Sequence, residues 1–342
     1  MIDDFFNSKI FPKFYLKTAE YEIFALGRSP FATENIVGFI PTGKTYNHHF
    51  QSGLYSPVQF EMIQSKNEEE KILPFLLKPN RFFHDLTQKK WKERVEYTKV
   101  AIQSNLLKKA VLKRKTLFEF NSSVDIESYF KSFKSKTPHL NHFFIQQDHG
   151  SAFMGATPEL LFKRENYRLK TMALASTISS KICSKTLLED SKMAHEFNIV
   201  KNQIQQVLSK VSRQIKTGET EPKTFNHLTH LHASIEADLK MTDDLKLIEL
   251  LHPTAAIVGL PKIEAINFVE EIEQEPRNLY SCALGFSTKN NSEFYVGIRS
   301  LFLEQNLLQA FCGVGIVEES DPLKEWEELN LKVKAVKIWV NK

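Results

Sequence analysis

The sequence predicts an α+β protein with large antiparallel β-sheets. Two observations indicate this class. Short apolar segments of strand character follow one another in meanders, and long amphipathic helices are inserted between them. The 342 residues, 42% hydrophobic and 25% charged, suffice for one large domain or two domains with a sizeable core.

The first half of the chain contains strands, one long helix and one short helix. Residues 1–90 predict mixed short strands and loops, with turn signals at "IPTGKT" and "LKPN" and an exposed polar loop at 64–71. Apolar residues at helical spacing from Trp91 to Leu106 predict a helix, followed by a strand at "AVLKRKTLFEF". After a short helix at "DIESYFKSF", an antiparallel meander is predicted at "HFFIQQ", "AFMGAT", "ELLFKREN" and "YRLKTMALAST".

The second half begins with a long helix and ends with a short one. Residues 189–215 predict a helix because their apolar residues share one side. The final helix is expected to begin at Pro322, which is favoured in a first turn after a capping Ser320 or Asp321. Between these helices, strands are predicted at "LYSCALGFST", "SEFYVGIRSLFLE" and "LLQAFCGVGIV".

Composition argues against several classes of partner. The net charge of +4 is a small difference between 45 basic and 41 acidic residues, and no basic block is interleaved with aromatics, so nucleic acid is not expected as a partner. No run approaches the roughly 18 apolar residues of a membrane span, and the N-terminus lacks the pattern of a signal peptide. Cys183, Cys282 and Cys312 show no CxxC spacing, which fits reduced thiols in a cytoplasmic protein.

The stretch "GVGIVEESDPLKEWEELNLK" (313–332) places six acidic residues in eleven consecutive positions ending at Glu328. On the predicted helix, Glu325, Glu328 and Lys332 are spaced i, i+3, i+7 and share one stripe, whereas Glu327 points elsewhere. A solvated helix face with i,i+4 pairing is one interpretation. A metal site is the other, because Mg²⁺ is held by one or two carboxylates together with ligand oxygens.

Two neighbouring features favour the metal site. Gly313 and Gly315 let backbone N–H groups approach a ligand closely, although they could equally relieve crowding in a sheet. Glu196, at the border of the apolar side of the long helix, supplies a carboxylate from a second helix.

From about Trp91 to the C-terminus, the chain resembles the chorismate-utilising enzymes. The resemblance implies their ADC synthase-like fold, in which large antiparallel sheets pack as a sandwich with helices on the outside. It also implies a chorismate-binding catalytic region at 91–342, with 1–90 as a poorly matched N-terminal part of the same fold. The motifs that carry it, in order and spacing, are "KKAVLKR" (108–114), "GATPELLF" (155–162), "LASTI" (174–178), "SKMAHEF" (191–197), "THLH" (229–232), "LHPTAAIVGLPKIEA" (251–265), "RNLY" (277–280), "FYVGIRS" (294–300) and the acidic stretch.

The resemblance assigns roles to individual residues. In that family Mg²⁺ binds the ring carboxylate of chorismate and is held by glutamates of two helices. The matching positions are Glu196 and Glu328, with Glu325 close enough to act directly or through a water. Lys109 takes the position of the general base and Glu159 that of the general acid. The positions that match substrate contacts are Thr177, His230, Ala256, Tyr280, Arg299, Gly313 and Lys332.

The implied chemistry adds water at one ring carbon and removes a hydroxyl from another, which needs a base and an acid. A lysine acts as a base only when burial or neighbouring cations lower its pKa well below about 10.4. Lys108, next to Lys109, should face away if the segment is a strand. Glu159 needs a raised pKa, as desolvation provides. His227, His230 and His232 could suggest zinc, but their spacing matches no standard ligand pattern.

Two residues favour one reaction of the family. Lys109 argues against the anthranilate type, and Ala256 matches the alanine typical of isochorismate synthases. We therefore expect Mg²⁺-dependent conversion of chorismate to isochorismate, for menaquinone synthesis in preference to siderophore synthesis. The alternatives are a salicylate synthase and a non-catalytic chorismate-binding homologue. No glutaminase subunit is expected, and the protein is expected to be a monomer.

The sequence departs from the family pattern at four positions near these motifs. Ser176 replaces the glycine of "LAGT", which costs about 1 kcal/mol if the backbone there is left-handed. Asn278 replaces another glycine, a tolerable change because Asn visits that region. Phe197 replaces a histidine and removes a hydrogen-bonding group, and Leu329 replaces a frequent threonine.

Overall fold

The computed structural model describes residues 1–42, 53–65, 75 and 77–337. Residues 66–71 of the predicted loop and residues 43–45 of the turn at "IPTGKT" lie outside these ranges. The helices are α1 (Ile2–Asn7), α2 (Gln88–Gln103), α3 (Ile126–Lys136), α4 (Lys185–Glu189), α5 (Ser191–Val211), α6 (Asp244–Leu251), α7 (Lys262–Glu273) and α8 (Pro322–Val333), followed by a 3₁₀ turn at Lys334–Val336.

The strands form two antiparallel sheets. Among the described residues, the first sheet contains ten strands in the order β15 (Gly259–Leu260), β7 (Lys109–Glu119), β19 (Leu307–Ile316), β18 (Ser300–Glu304), β9 (Ser151–Thr157), β8 (Asn141–Gln146), β1 (Lys13–Lys17), β2 (Tyr21–Leu26) and β5 (Gln59–Gln64), with β6 (Arg81–His84) paired to β7. The second contains nine in the order β12 (Ser212–Thr217), β14 (Leu228–Leu239), β11 (Arg168–Ser179), β10 (Leu160–Glu165), β17 (Asn291–Val296), β16 (Ala283–Ser287), β3 (Ile36–Ile40) and β4 (Gly53–Tyr55), with β13 (Glu221–Phe225) paired to β14.

The two sheets pack face to face, and helices cover their outer faces. Along β1, Phe14 and Leu16 belong to the apolar cluster between the sheets, whereas Tyr15 belongs to the cluster beneath the helices. This alternation follows from the period of two in a strand. Apolar residues of α2, α3, α7 and α8 pack on the first sheet, and those of α5 and α6 pack on the second. The predicted sandwich with external helices is confirmed.

Several boundaries differ from those that the sequence predicts. Helix α5 ends at Val211, and the next residues, predicted as helix, form β12 because they pair with β14. Strands β13 and β14 were not predicted. The α2 helix ends before Leu106, which is 50% exposed. Asp321 caps α8, accepting hydrogen bonds from the backbone N–H groups of Leu323 and Lys324.

The segment "SEFYVGIRSLFLE", predicted as one strand, is divided between the two sheets. Strand β17 lies in the second sheet and β18 in the first, so the chain crosses from one to the other at residues 297–299. Arg299 makes this crossing with a φ of 50°, a left-handed conformation that is uncommon for a long side chain. The crossing therefore places Arg299 where strands of both sheets meet.

Candidate active site

A single cavity brings together the residues that the sequence predicts as functional, with the exception of Glu325. Strands β7 and β19 of the first sheet, β11 and β14 of the second, and helices α5 and α8 contribute to its lining. Apolar side chains such as Val111 and Phe311 complete the wall. The predicted residues that line this cavity are Lys109, Glu159, Thr177, Glu196, His230, Ala256, Tyr280, Arg299, Gly313, Glu328 and Lys332.

Lys109, at the start of β7, points into the cavity. Its side chain is 1% exposed, whereas the neighbouring Lys108 is exposed, as the alternation of a strand predicts. The Lys109 ammonium lies 3.0 Å from Glu196 Oε1. Gly315 of β19 makes this pair possible, because a Cβ at that position would overlap the carboxylate of Glu196 and the end of the Lys109 side chain.

Glu159 follows β9 and is buried in the cavity wall. Burial raises the pKa of its carboxyl to about 7, although the charges of Lys109, Lys332 and Arg299 oppose the shift. A carboxyl with such a pKa is protonated in a large fraction of molecules at neutral pH. It can therefore donate a proton, as a general acid must.

Arg299, His230 and Thr177 form a hydrogen-bonded chain across the second sheet. Arg299 Nη2 lies 2.8 Å from His230 Nε2, and Thr177 Oγ1 lies 3.1 Å from His230 Nδ1. Burial, reinforced by the charge of Arg299, lowers the pKa of His230 well below its ordinary value, so the ring is neutral. Since a guanidinium only donates, Nε2 accepts from Arg299 and the proton on Nδ1 points to Thr177. His230 thus orients a buried guanidinium suited to gripping a carboxylate.

Lys332 and Glu328 lie one turn apart on α8. Lys332 Nζ is 2.7 Å from Glu328 Oε1 and donates to the Gly313 carbonyl at 2.8 Å. Tyr280 reaches the same place, since a Cβ on Gly313 would come within 2.7 Å of its hydroxyl. The two glycines of "CGVGIV" therefore make room for side chains of the cavity.

The carboxylates expected to hold a metal are paired with ammonium groups. Lys192, on α5, lies 2.9 Å from Glu325 Oε1 and 3.5 Å from Glu196 Oε2. Glu325 is 2% exposed, and burial raises the pKa of its carboxyl to about 7. The charge of Lys192 opposes this rise, whereas the charges of Glu328 and Glu196 add to it. Glu327, on the other side of α8, is exposed, as predicted.

These glutamates fit a hard divalent cation by their chemistry. Glu196 and Glu325 both contact Lys192, and Glu325 and Glu328 lie one turn apart on α8, so the three carboxylates share one neighbourhood; oxygen donors are those that Mg²⁺ prefers. Within the described ranges, no three His, Cys, Asp or Glu side chains are already arranged around a metal position. Lysine ammonium groups neutralise the carboxylates instead.

The histidine cluster is divided among separate partners. His227 Nε2 donates to the Leu331 carbonyl at 2.9 Å, and His232 Nδ1 faces Glu221 at 3.3 Å. His230 belongs to the chain with Arg299 and Thr177. The three histidines therefore face three separate sets of partners.

The two residues that replace family glycines adopt left-handed conformations. Ser176 has a φ of 58° and Asn278 a φ of 50°. Ser176 Oγ donates to the Met193 carbonyl at 2.7 Å and lies 3.4 Å from Glu196 Oε2. The serine thus ties β11 to the first turns of α5, beside the carboxylate.

Sequence analysis missed Lys192. Its i, i+4 spacing to Glu196 predicts that the two side chains lie on one face of α5, which was a usable signal. No local pattern in the sequence predicts its contact with Glu325 of α8.

Comparison with known proteins identifies the family. A family-wide sequence profile described as "Chorismate binding enzyme" matches residues 39–339. The chain belongs to the chorismate-binding enzymes. Isochorismate synthase MenF of Haemophilus influenzae is 34% identical over 253 residues, which cover 72% of this chain and 59% of that protein. MenF of Escherichia coli is 30% identical over 290 residues, covering 81% of this chain and 67% of that protein.

Solved structures of other chorismate-binding enzymes share the fold. The structure of Escherichia coli MenF, a menaquinone-specific isochorismate synthase, matches with a TM-score of 0.85 and 23% identity, over 98% of this chain and 90% of that one. Anthranilate synthase component I of Streptococcus pneumoniae matches with a TM-score of 0.75 and 16% identity, over 94% and 93%. None of the described helices has the length and apolar character needed to cross a membrane.

Proposed function

We propose that this chorismate-binding enzyme is an isochorismate synthase, which converts chorismate to isochorismate by adding water at C2 and releasing the C4 hydroxyl. The observation that carries the proposal is the presence in one cavity of a buried lysine, Lys109, and a buried glutamate, Glu159, whose pKa is about 7. The first provides a proton acceptor and the second a proton donor. The likeness to MenF relatives supports this reaction.

In this mechanism, Lys109 takes a proton from the attacking water while Glu159 gives a proton to the departing hydroxyl. One water is added and one is released, so the reaction is an isomerisation. Arg299, oriented by His230, grips one carboxylate of the substrate, and Lys332 contributes a second positive charge. Thr177, Ala256, Tyr280 and the Gly313 backbone complete the proposed substrate contacts.

We infer that Mg²⁺ is the cofactor and that Glu196, Glu325 and Glu328 hold it. When bound, the cation neutralises the substrate carboxylate and fixes its position. The protein would contribute the three carboxylates, one from α5 and two from α8.

The catalytic region is assigned to 91–342, with 1–90 as the N-terminal part of the same fold; strands before residue 90 belong to both sheets. A cytoplasmic monomer without a glutaminase subunit, acting in menaquinone synthesis, remains our prediction.

Proton NMR of chorismate incubated with the purified protein tests the reaction. With Mg²⁺, we expect an equilibrium mixture of chorismate and isochorismate, and with a chelator no conversion. Salicylate and pyruvate as products would instead identify a salicylate synthase. Binding of chorismate without any conversion would identify a non-catalytic homologue.

A further inference from the structure

Lys192 has no role in the proposed chemistry, yet it holds a central position among the carboxylates. It lies in the first turn of α5, one turn before Glu196, and its side chain is 15% exposed. Its ammonium is 2.9 Å from Glu325 Oε1 and 3.5 Å from Glu196 Oε2. It therefore joins helix α5 to helix α8 through the buried carboxylate of Glu325, and it also contacts Glu196 of its own helix.

A counter-ion is needed at this place. Glu196 and Glu325 are both buried, and when both are ionised they repel each other strongly in this poorly solvated site unless a cation lies close to both. Lys109 compensates part of the charge of Glu196 from the cavity side, through Oε1. Lys192 approaches the other oxygen of Glu196 and also reaches Glu325.

We infer that Lys192 is the resident counter-ion of this site: its ammonium holds Glu196 and Glu325 together without metal and leaves when a divalent cation binds. The inference rests on the proposed assignment of these glutamates to the metal. A divalent cation in contact with both carboxylates would lie beside the ammonium, and like charges repel. The long, flexible lysine side chain, partly exposed near the helix start, can move its charge into solvent.

The binding of metal is then opposed by an internal ion pair. The apparent affinity for the cation is lowered by the fraction of molecules in which Lys192 occupies the site. Removing the charge of Lys192 removes this competition, so the metal should bind more tightly. In the absence of metal, the same change leaves two carboxylates without their shared counter-ion, so the protein should melt at a lower temperature.

Isothermal titration of MgCl₂ into metal-free protein tests the inference without any measurement of activity. For Lys192→Met, which keeps the apolar stem, we expect the dissociation constant for Mg²⁺ to fall about tenfold or more. We also expect a lower melting temperature without metal and a larger rise with Mg²⁺ than in the wild type. Lys192→Gln is the second variant, because its amide can still donate to the carboxylates and support folding.

Lys210→Met is the matched control, because Lys210 is exposed on the same helix and its loss changes the net charge equally. It should leave Mg²⁺ affinity at the wild-type value. Unchanged or weaker Mg²⁺ binding by both Lys192 variants would overturn the inference. It would indicate that Lys192 helps to position the carboxylates that bind the metal. Absence of Mg²⁺ binding by every protein, wild type included, would overturn it too. The chorismate assay reports separately on the proposed reaction.

Discussion

The ammonium of Lys109 lies 3.0 Å from the carboxylate of Glu196, and both side chains are buried. The proposed base and a proposed metal ligand thus share one ion pair. A ligand or a substitution that engages the charge of Glu196 elsewhere therefore also changes the immediate surroundings of Lys109.

Lys109→Ala should lower the rate of isochorismate formation by about 10²- to 10⁴-fold, the contribution of a positioned general base. The fold should persist, because Lys192 still accompanies Glu196. Initial rates with saturating chorismate and Mg²⁺, together with a circular dichroism spectrum, provide the measurement. Lys108→Ala, an exposed neighbour, is the control and should retain wild-type rates. Normal turnover by the Lys109 variant would exclude it as the base.

Glu159→Gln should bind chorismate without converting it, with a rate about 10²- to 10⁴-fold below wild type, because an amide cannot donate the proton. In the wild type, the acid is present below its pKa of about 7 and is lost as pH rises through this value, so the rate should fall on the alkaline side. A pH profile of the rate and equilibrium dialysis of chorismate measure both effects. Glu165→Gln, at the exposed end of β10, serves as the control. A fully active Glu159 variant would contradict the assignment.

Glu328→Gln should raise the Mg²⁺ concentration needed for half-maximal activity about tenfold or more, because an anionic oxygen donor is replaced by a neutral amide. The matched control is Glu327→Gln, which removes the same charge from the exposed side of α8 and should leave the requirement unchanged. The measurement is a Mg²⁺ titration of the initial rate for each protein. If the two variants needed the same Mg²⁺ concentration for half-maximal activity, the metal would have to bind elsewhere.

Two substitutions of Ser176 separate strain from hydrogen bonding. Ser176→Ala keeps the left-handed strain and loses the hydrogen bond to the Met193 carbonyl, so the free energy of unfolding should fall by about 1 kcal/mol. Ser176→Gly also loses the bond but relieves about 1 kcal/mol of strain, so stability should stay near wild type. Urea denaturation measures the difference. If glycine destabilises as much as alanine, the backbone at Ser176 is not strained.

The sequence predicted much of the fold because its information is local. Period-two alternation identified most strands, and period-three-to-four apolar spacing identified the long helices. Two of the failures were at places where strand pairing decides: residues after Val211 join a sheet because β14 is beside them, and "SEFYVGIRSLFLE" is divided because its two halves pair with strands of different sheets.

The candidate site also combines features that the sequence determines with features that the tertiary structure decides. The sequence by itself determined that Lys108 and Lys109 point in opposite directions, and that Glu328 and Lys332 share a face, since both follow from the geometry of one element. The tertiary structure alone decided that Lys192 reaches Glu325, because helices α5 and α8 meet only through the packing of distant segments. Local periodicity fixes the direction of a side chain, whereas the partner that it meets depends on which segments the fold brings together.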